Sequence, residues 1–241
     1  IADASDIVDL KVKVDNFNVD TITTITENAV TIGTNAATIT SALAITGGIE
    51  AVTITGAISA ADTNIIANAT SGIVTATITS GAVTNTLNAI TNVDVNDVIT
   101  FTTTDTSVDA SDLVALAAKV DTFTTSSIAN ITEDAANVGS VNTALTTSGL
   151  LDGNENVSIN GAISVADINT LNGNTTGVIT AVATQTDAAS LITLTTTNTD
   201  MITVKMAASS TSAGDVNTID GKTGVAVNAT SISQLTGTAT D

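Results

Sequence analysis

The side chains with most chemistry to offer in this sequence are carboxylates and amides, and they are densest between Asp152 and Asp167, in the run DGNENVSINGAISVAD. Counted from Asn156, the run places Asn156, Ser158 and Asn160 at the first, third and fifth positions of a calcium-loop frame. Gly161 takes the sixth position, Ile163 the eighth and Asp167 the twelfth. Hard oxygen donors around a sharp glycine turn are what a calcium ion requires. With Asp152, Asn154 and Glu155 just upstream, the expected ligand set is Asp152, Asn154, Asn156, Ser158, Asn160 and Asp167, and calcium is the one cofactor the sequence implies. Three features weigh the other way. The early donors are neutral, the twelfth position is Asp where a bidentate Glu is usual, and the matching segment AVTITGAISAAD carries Ala51, Thr53 and Thr55 in the donor places. A frame that persists while its donors change is what a strand, a turn and a helix cap produce. A second cluster, Asp215, Asn217 and Asp220 before Gly221, reads the same way.

Catalysis would have to be done by carboxylates, because the chain has neither His nor Cys. A pair of acids can serve as general acid and base, and Asp62 and Asp167 are the natural nominees. Each, however, stands three residues after a serine, Ser59 or Ser164, in the capping-box arrangement that satisfies the first amides of a helix. A residue used twice at equivalent positions is a poor candidate for one unique cleft. The expectation is a protein that is not an enzyme.

That equivalence is part of a large duplication. SAADTNIIANATSGIVTATIT, from Ser59 to Thr79, returns as SVADINTLNGNTTGVITAVAT, from Ser164 to Thr184. DASDIVDLKVKVDNF at 3–17 likewise returns as DASDLVALAAKVDTF at 109–123, with Glu27/Glu133 and Gly33/Gly139 corresponding further on. Residues 1–107 form a first large repeat, 108–211 a second, and 212–241 the start of a third, partly different unit. The capping phrase occurs at Asp3–Asp6, Ser59–Asp62, Asp109–Asp112, Ser164–Asp167, Ser212–Asp215 and Thr238–Asp241. After Asp109, the residues Leu113, Leu116, Ala117 and Val120 share one helical face, and Gly72 and Gly177 are expected as left-handed helix terminators.

Between the caps stand runs that alternate β-branched residues: 21–26, 51–58, 73–79, 98–104, 157–163, 178–184, 191–197 and 201–206. These read as strands. A cap, short helix, glycine and strand recurring every ~20–35 residues is the grammar of a repeat protein. The fold expected is mainly β, a solenoid-like stack of strands with short capped helices or turns; an α/β solenoid is the alternative. With three Phe, no Trp and no Tyr, the core must be Ile, Val, Leu and Ala.

The formal charge is −19, from 24 acidic and 5 basic residues. It repels phosphate backbones, so nucleic acid is excluded as a partner. No stretch approaches the length of a membrane helix, and without Cys there is no disulfide framework. Lys13 and Lys119 read as partners in surface ion pairs. The opening IADASDIV has neither an initiator Met nor a signal peptide, so the sequence is expected to be a processed product or an excerpt of a longer protein.

At ADINTLNGNTTGVITA and GVAVNATSISQLTGTATD, the sequence resembles the Thr/Ala/Asp-rich repeats of very large secreted cell-surface proteins of cyanobacteria, of the adhesin-like and haemolysin-like kind. The resemblance implies an extracellular, cell-surface location and a structural or adhesive role, and it carries no catalytic residues. The function expected is that of a structural subunit or segment of an extracellular fibre, surface layer or adhesin, self-assembling head to tail with copies of itself as filament partners. A calcium-dependent cell-surface binding module is the alternative. Regularly spaced T-x-T runs, at 21–26, 38–40, 53–55 and 75–79, also raise ice binding, although Ser158, Asn160 and Val182 replace Thr53, Thr55 and Thr77 in the second copy.

Overall fold

The computed structural model describes residues 1–29, 36–207 and 210–237, and they form two compact units. The first comprises Ile1–Asp105 with Ala115–Thr125, the second Thr106–Val114 with Ser126–Asp241. Residues 115–125, early in the second repeat read from the sequence, belong to the first unit and supply it with a closing strand, and 212–241 is not separated from the second unit.

In the first unit one all-parallel sheet has the order β1 (Ala2–Asp3), β2 (Thr24–Asn28), β3 (Ala51–Ile58), β4 (Val74–Ile78), β5 (Val98–Thr102) and β7 (Thr122–Thr124). Between strands run α1 (Ala4–Lys13), α2 (Ala36–Thr46), α3 (Ala60–Ala69) and α4 (Val83–Ala89). In the second unit the parallel sheet runs β11 (Met201–Thr203), β10 (Ile179–Ala183), β9 (Asn156–Ile163), β8 (Asn130–Asp134) and β6 (Ser107–Asp109). Its helices are α6 (Val138–Thr146), α7 (Val165–Asn174), α8 (Ala188–Leu191) and α9 (Ala213–Asp220), and a small parallel pair joins β12 (Ser210–Ser212) to β13 (Gln234–Thr236). Helix α5 (Ala110–Ala117) has residues in both units.

Register carries the core. Ile25, Val52 and Val74 are partners on successive strands of the first sheet and are fully buried. Val108, Ile131, Val157 and Ile179 make the same row in the second. Helical Ile39, Leu43, Ile66 and Val83 are buried in the first unit, and Val141, Ile168 and Leu171 in the second. Small β-branched residues suffice because only one sheet face is packed: Val74, Ala76 and Ile78 point inward, Thr75 and Thr77 outward. Phe101 and Phe123, partners in register, add a tilted ring pair with centroids 5.6 Å apart.

The architecture is thus α/β with parallel sheets, and the expected mainly β solenoid does not form. The helices are longer and more regular than β-branched composition led one to expect. AATITSALAIT is helix α2, so the Thr38–Thr40 run is no strand, and 191–197 is the end of α8 and a loop. In α2 the apolar positions Ala36, Ile39, Ala42 and Leu43 recur at helical spacing and are buried. Tertiary burial of that stripe outweighs the modest helix penalty of Thr and Ile. Two compact α/β units also remove the premise of stacked β coils on which the filament and adhesin readings rested.

The cap phrases do start helices. Ser59 Oγ accepts from Asp62 N at 3.0 Å and donates to the Asp62 carboxylate at 2.6 Å; Ser164 and Asp167 repeat both distances. Asp3, Asp109 and Ser212 also accept from first-turn amides. The phrase at 238–241 and the Gly33 correspondence lie outside the described residues. Gly72 and Gly177 are not left-handed; positive φ occurs at other glycines, among them Gly47 (+115°) directly after α2, and Gly56 (+84°) and Gly161 (+103°), where β3 and β9 each carry the irregularity in their pairing with the following strand.

Candidate functional site

The buried acids show what the carboxylates of this chain do. Glu27, Glu50, Asp97, Glu133, Glu155 and Asp200 are all at most 7% exposed, a position that costs free energy unless each oxygen is hydrogen-bonded. Glu133 accepts from Ser111 N at 3.0 Å and Asp134 N at 2.8 Å, and Glu27 accepts from Ser5 N at 3.2 Å and Asn28 N at 2.8 Å. The Ser111 hydroxyl also donates to Glu133. Asp97 accepts from Val74 N at 2.8 Å and Asp94 N at 3.1 Å, and Asp200 accepts from Ile179 N and Thr197 N, both at 2.9 Å. Asp121 takes Ile99 N at 2.9 Å and Asp105 takes Val83 N at 2.7 Å. Glu27, Glu133, Asp97, Asp200, Asp121 and Asp105 thus tie their own segments to a strand or helix start some twenty residues away along the chain, by a charge-assisted bond stronger than one between neutral groups. Glu50, by contrast, accepts from Ile49 N, and Glu155 from Asp152 N and Gly153 N, within their own turns.

The recurring T-S-G and T-T-G triplets complete the joint. Thr70 donates to the Glu50 carbonyl at 2.6 Å and accepts from Gly72 N at 2.9 Å; Thr175 repeats this with Glu155 at 2.7 Å and Gly177 at 2.9 Å. The glycines are required by close approach, because a Cβ at either would lie 2.3 Å from the glutamate carbonyl oxygen.

The proposed calcium ligands are not gathered around a loop. Asn156, Ser158 and Asn160 lie along extended β9, where alternate residues are about 6.6 Å apart. Asn156 Nδ2 donates to Asn130 Oδ1 at 3.1 Å and Asn160 Nδ2 to Asp134 Oδ1 at 2.6 Å. Asp152 accepts from Asn154 N at 3.2 Å in a local turn, and Asp167 is engaged by Ser164. A shallow cavity of about 250 Å³ does bring Ser158 and Asn160 beside Asp109 and Asp134, but it excludes the other four ligands. Among the described residues no three His, Cys, Asp or Glu side chains converge as metal ligands. In the second cluster, Asp215 N is bound by its cap Ser212, and Gly221 ends α9 in right-handed conformation.

The two catalytic nominees, Asp62 and Asp167, are engaged as caps, and a cavity of about 310 Å³ is lined by Thr70, Ser71, Gly72, Asn92, Asp94 and Asn96. Asp97, at its wall, has both oxygens on backbone amides, and Asp94 accepts from Asn96 N at 2.7 Å. Asp187 is held below the usual aspartate range by the backbone amide of Ser190, with the Ser190 side chain adding to the effect. Lys13 stands 3.9 Å from Asp9 in an exposed pair, whereas Lys119 donates to the Val93 carbonyl at 2.8 Å.

Sequence reasoning singled out the caps, and Glu155 only as a neighbour of the calcium frame, but not Glu50, Asp97 or Asp200. Their signal is positional: an acid directly before a strand, or two residues before a buried Ile, recurring at the same place in both copies. Among the described residues no helix is long and apolar enough to cross a membrane. No protein-family model matches the chain, and no curated protein or solved structure matches it significantly.

Proposed function

We propose that this chain is a structural, non-catalytic segment of an extracellular cell-surface protein. The observation that carries the reading is the duplicated use of its acids: Glu27 and Glu133, Asp97 and Asp200, and Asp62 and Asp167 make matching hydrogen bonds to backbone or cap groups in the two copies. Groups that could do chemistry are spent on architecture, and the same architecture is built twice. The high negative charge, which keeps a large surface solvated, and the likeness of its Thr/Ala/Asp-rich phrases to repeats of secreted surface proteins support the location. Protease treatment of intact source cells, followed by detection with an antibody raised to residues 1–241, tests it. The epitope should disappear from intact cells; its full protection, with recovery only in the cytosolic fraction, would remove the reading.

A further inference from the structure

The first sheet has a property that goes beyond a structural role. Its packed face is apolar, while its opposite face repeats one short motif on five neighbouring strands: Thr24-x-Thr26 on β2, Thr53-x-Thr55 on β3, Thr75-x-Thr77 on β4, Thr100-x-Thr102 on β5 and Thr122-x-Thr124 on β7. Parallel register sets these in rows. Thr26, Thr53 and Thr75 are successive partners, as are Thr77, Thr100 and Thr122, and Thr102 stands beside Thr124. Val98 interrupts the first row, and the irregularity at Gly56 shifts the rows between β3 and β4.

We propose that this threonine face binds ordered water at an ice surface. The spacing supports it. Water oxygens in a tetrahedral network are about 2.8 Å apart, which puts second neighbours about 4.6 Å apart and the layer repeat of a hexagonal lattice near ~7.4 Å. Neighbouring strands are separated by about 4.8 Å and alternate residues along a strand by about 6.6 Å. The match is close across the sheet, and along each strand a two-threonine run leaves no length over which the remaining difference accumulates. A β-branched side chain is stiff at χ1, so the hydroxyl and methyl positions are held before water arrives.

The hydroxyls are free for that role. Thr26 and Thr55 donate to the Ala2 and Glu27 carbonyls, but those of Thr75, Thr77, Thr100, Thr102, Thr122 and Thr124 engage no protein acceptor among the described residues. Charge points to the same occupant. On a chain of formal charge −19, the outward positions of β2, β3, β4, β5 and β7 hold no charged residue. A neutral lattice of water suits such a face, whereas a second copy of the chain brings another −19 and is repelled. The second sheet carries only one short row, Thr132, Ser158 and Thr180, which ends at Met201, and Asp134, Asn156, Asn160 and Val182 break the rest of its outward side.

The test uses the whole chain and slowly growing ice as the probe. The unaltered protein should be enriched in the ice fraction and should slow ice recrystallisation. Thr77→Tyr with Thr100→Tyr should lower that enrichment about tenfold, as the loss of a few hydrogen-bonding contacts would. Thr122→Val with Thr124→Val keeps side-chain shape while removing two hydroxyls, and should also lower it with an unchanged melting temperature. Thr132→Tyr with Ser158→Tyr, on the second sheet, should leave it unchanged. Rejection of the unaltered chain by ice, or equal loss in the second-sheet variant, overturns the proposal. A dimer in sedimentation equilibrium that Thr77→Tyr dissociates would assign the face to a second copy, and retention on microcrystalline cellulose without entry into ice would assign it to a neutral polysaccharide; each overturns it as well.

Discussion

Gly177 lies so close to Glu155 that a side chain on the glycine would place its Cβ 2.3 Å from the glutamate carbonyl oxygen, and Gly72 stands in the same relation to Glu50. The obstacle is backbone on both sides, so it cannot rotate away. Gly177→Ala should therefore destabilise the second unit by roughly 1–3 kcal/mol, as overpacking does. Gly173→Ala, four residues earlier in α7 with nothing within 4 Å of its Cβ, should instead stabilise by up to about 1 kcal/mol. Chemical denaturation of the two variants checks the pair; equal midpoints would remove the close-approach argument.

Asp200 takes the amides of Ile179 and Thr197 on its two oxygens while only 4% exposed. Asp200→Ala leaves both donors without an acceptor, at roughly 1–3 kcal/mol each. Asp200→Asn retains one acceptor and should lose less. Hydrogen exchange locates the effect, since the Ile179 amide should lose protection first. An Asp200→Ala chain with unaltered exchange at Ile179 would show that the bond contributes nothing.

Asp167→Asn or Ser164→Ala should cost about 1 kcal/mol, the scale of a lost helix cap. Circular dichroism melts of the two single variants and the double variant measure the coupling. Additive losses would mean that the two side chains act independently, contrary to their reciprocal hydrogen bonds.

Calcium and magnesium should raise the melting temperature equally at matched ionic strength, because Asp152, Asn154, Asn156 and Asp167 are not brought to one point and the remaining effect is screening of like charge. A calcium-specific rise that disappears in Asp152→Asn would require a site that the fold does not assemble.

Acid should act on the cap of α8 in a defined direction. The Asp187 carboxyl is lowered by its bonds from Ser190, so its contribution is present above the ordinary aspartate value near ~3.9 and is lost as pH falls through its own lower value. Carbon-13 titration of Asp187 should give a midpoint below that of aspartates without such bonds, and Ser190→Ala should raise it. An Asp187 midpoint at the ordinary value would contradict the cap geometry.

What could be read from the sequence was local. AVTITGAI at 51–58 is strand β3 to the residue, and the Ser/Asp phrases mark helix starts, because both depend on neighbours within four positions. Helix α2 was illegible because Thr38, Ile39 and Thr40 carry strand propensity, and only the burial of Ile39 and Leu43 against other elements decides the matter. Gly72 and Gly177 stand out in the sequence but suggest the wrong reason, a left-handed helix end, since what requires them is close approach to the carbonyls of Glu50 and Glu155. Asp97 and Asp200 were missed for the same reason: the amides they hold belong to Val74 and Ile179. For the calcium frame, a list of donors does not say whether its backbone curls or extends, and β9 extends.

The pairing order has a kinetic consequence. Ile25 meets Val52, Val52 meets Val74, and Thr75 meets Val98, so each strand of the first sheet joins the one added just before it, across one short helix. Parallel sheets are ordinarily slow to form because their strands must find partners far away in the chain, but here every closure spans a short loop with a small entropic cost. As residues leave the ribosome or an export channel, each new strand finds its template already in place. Folding can keep pace with emergence, with no need to wait for the distant end of the polypeptide.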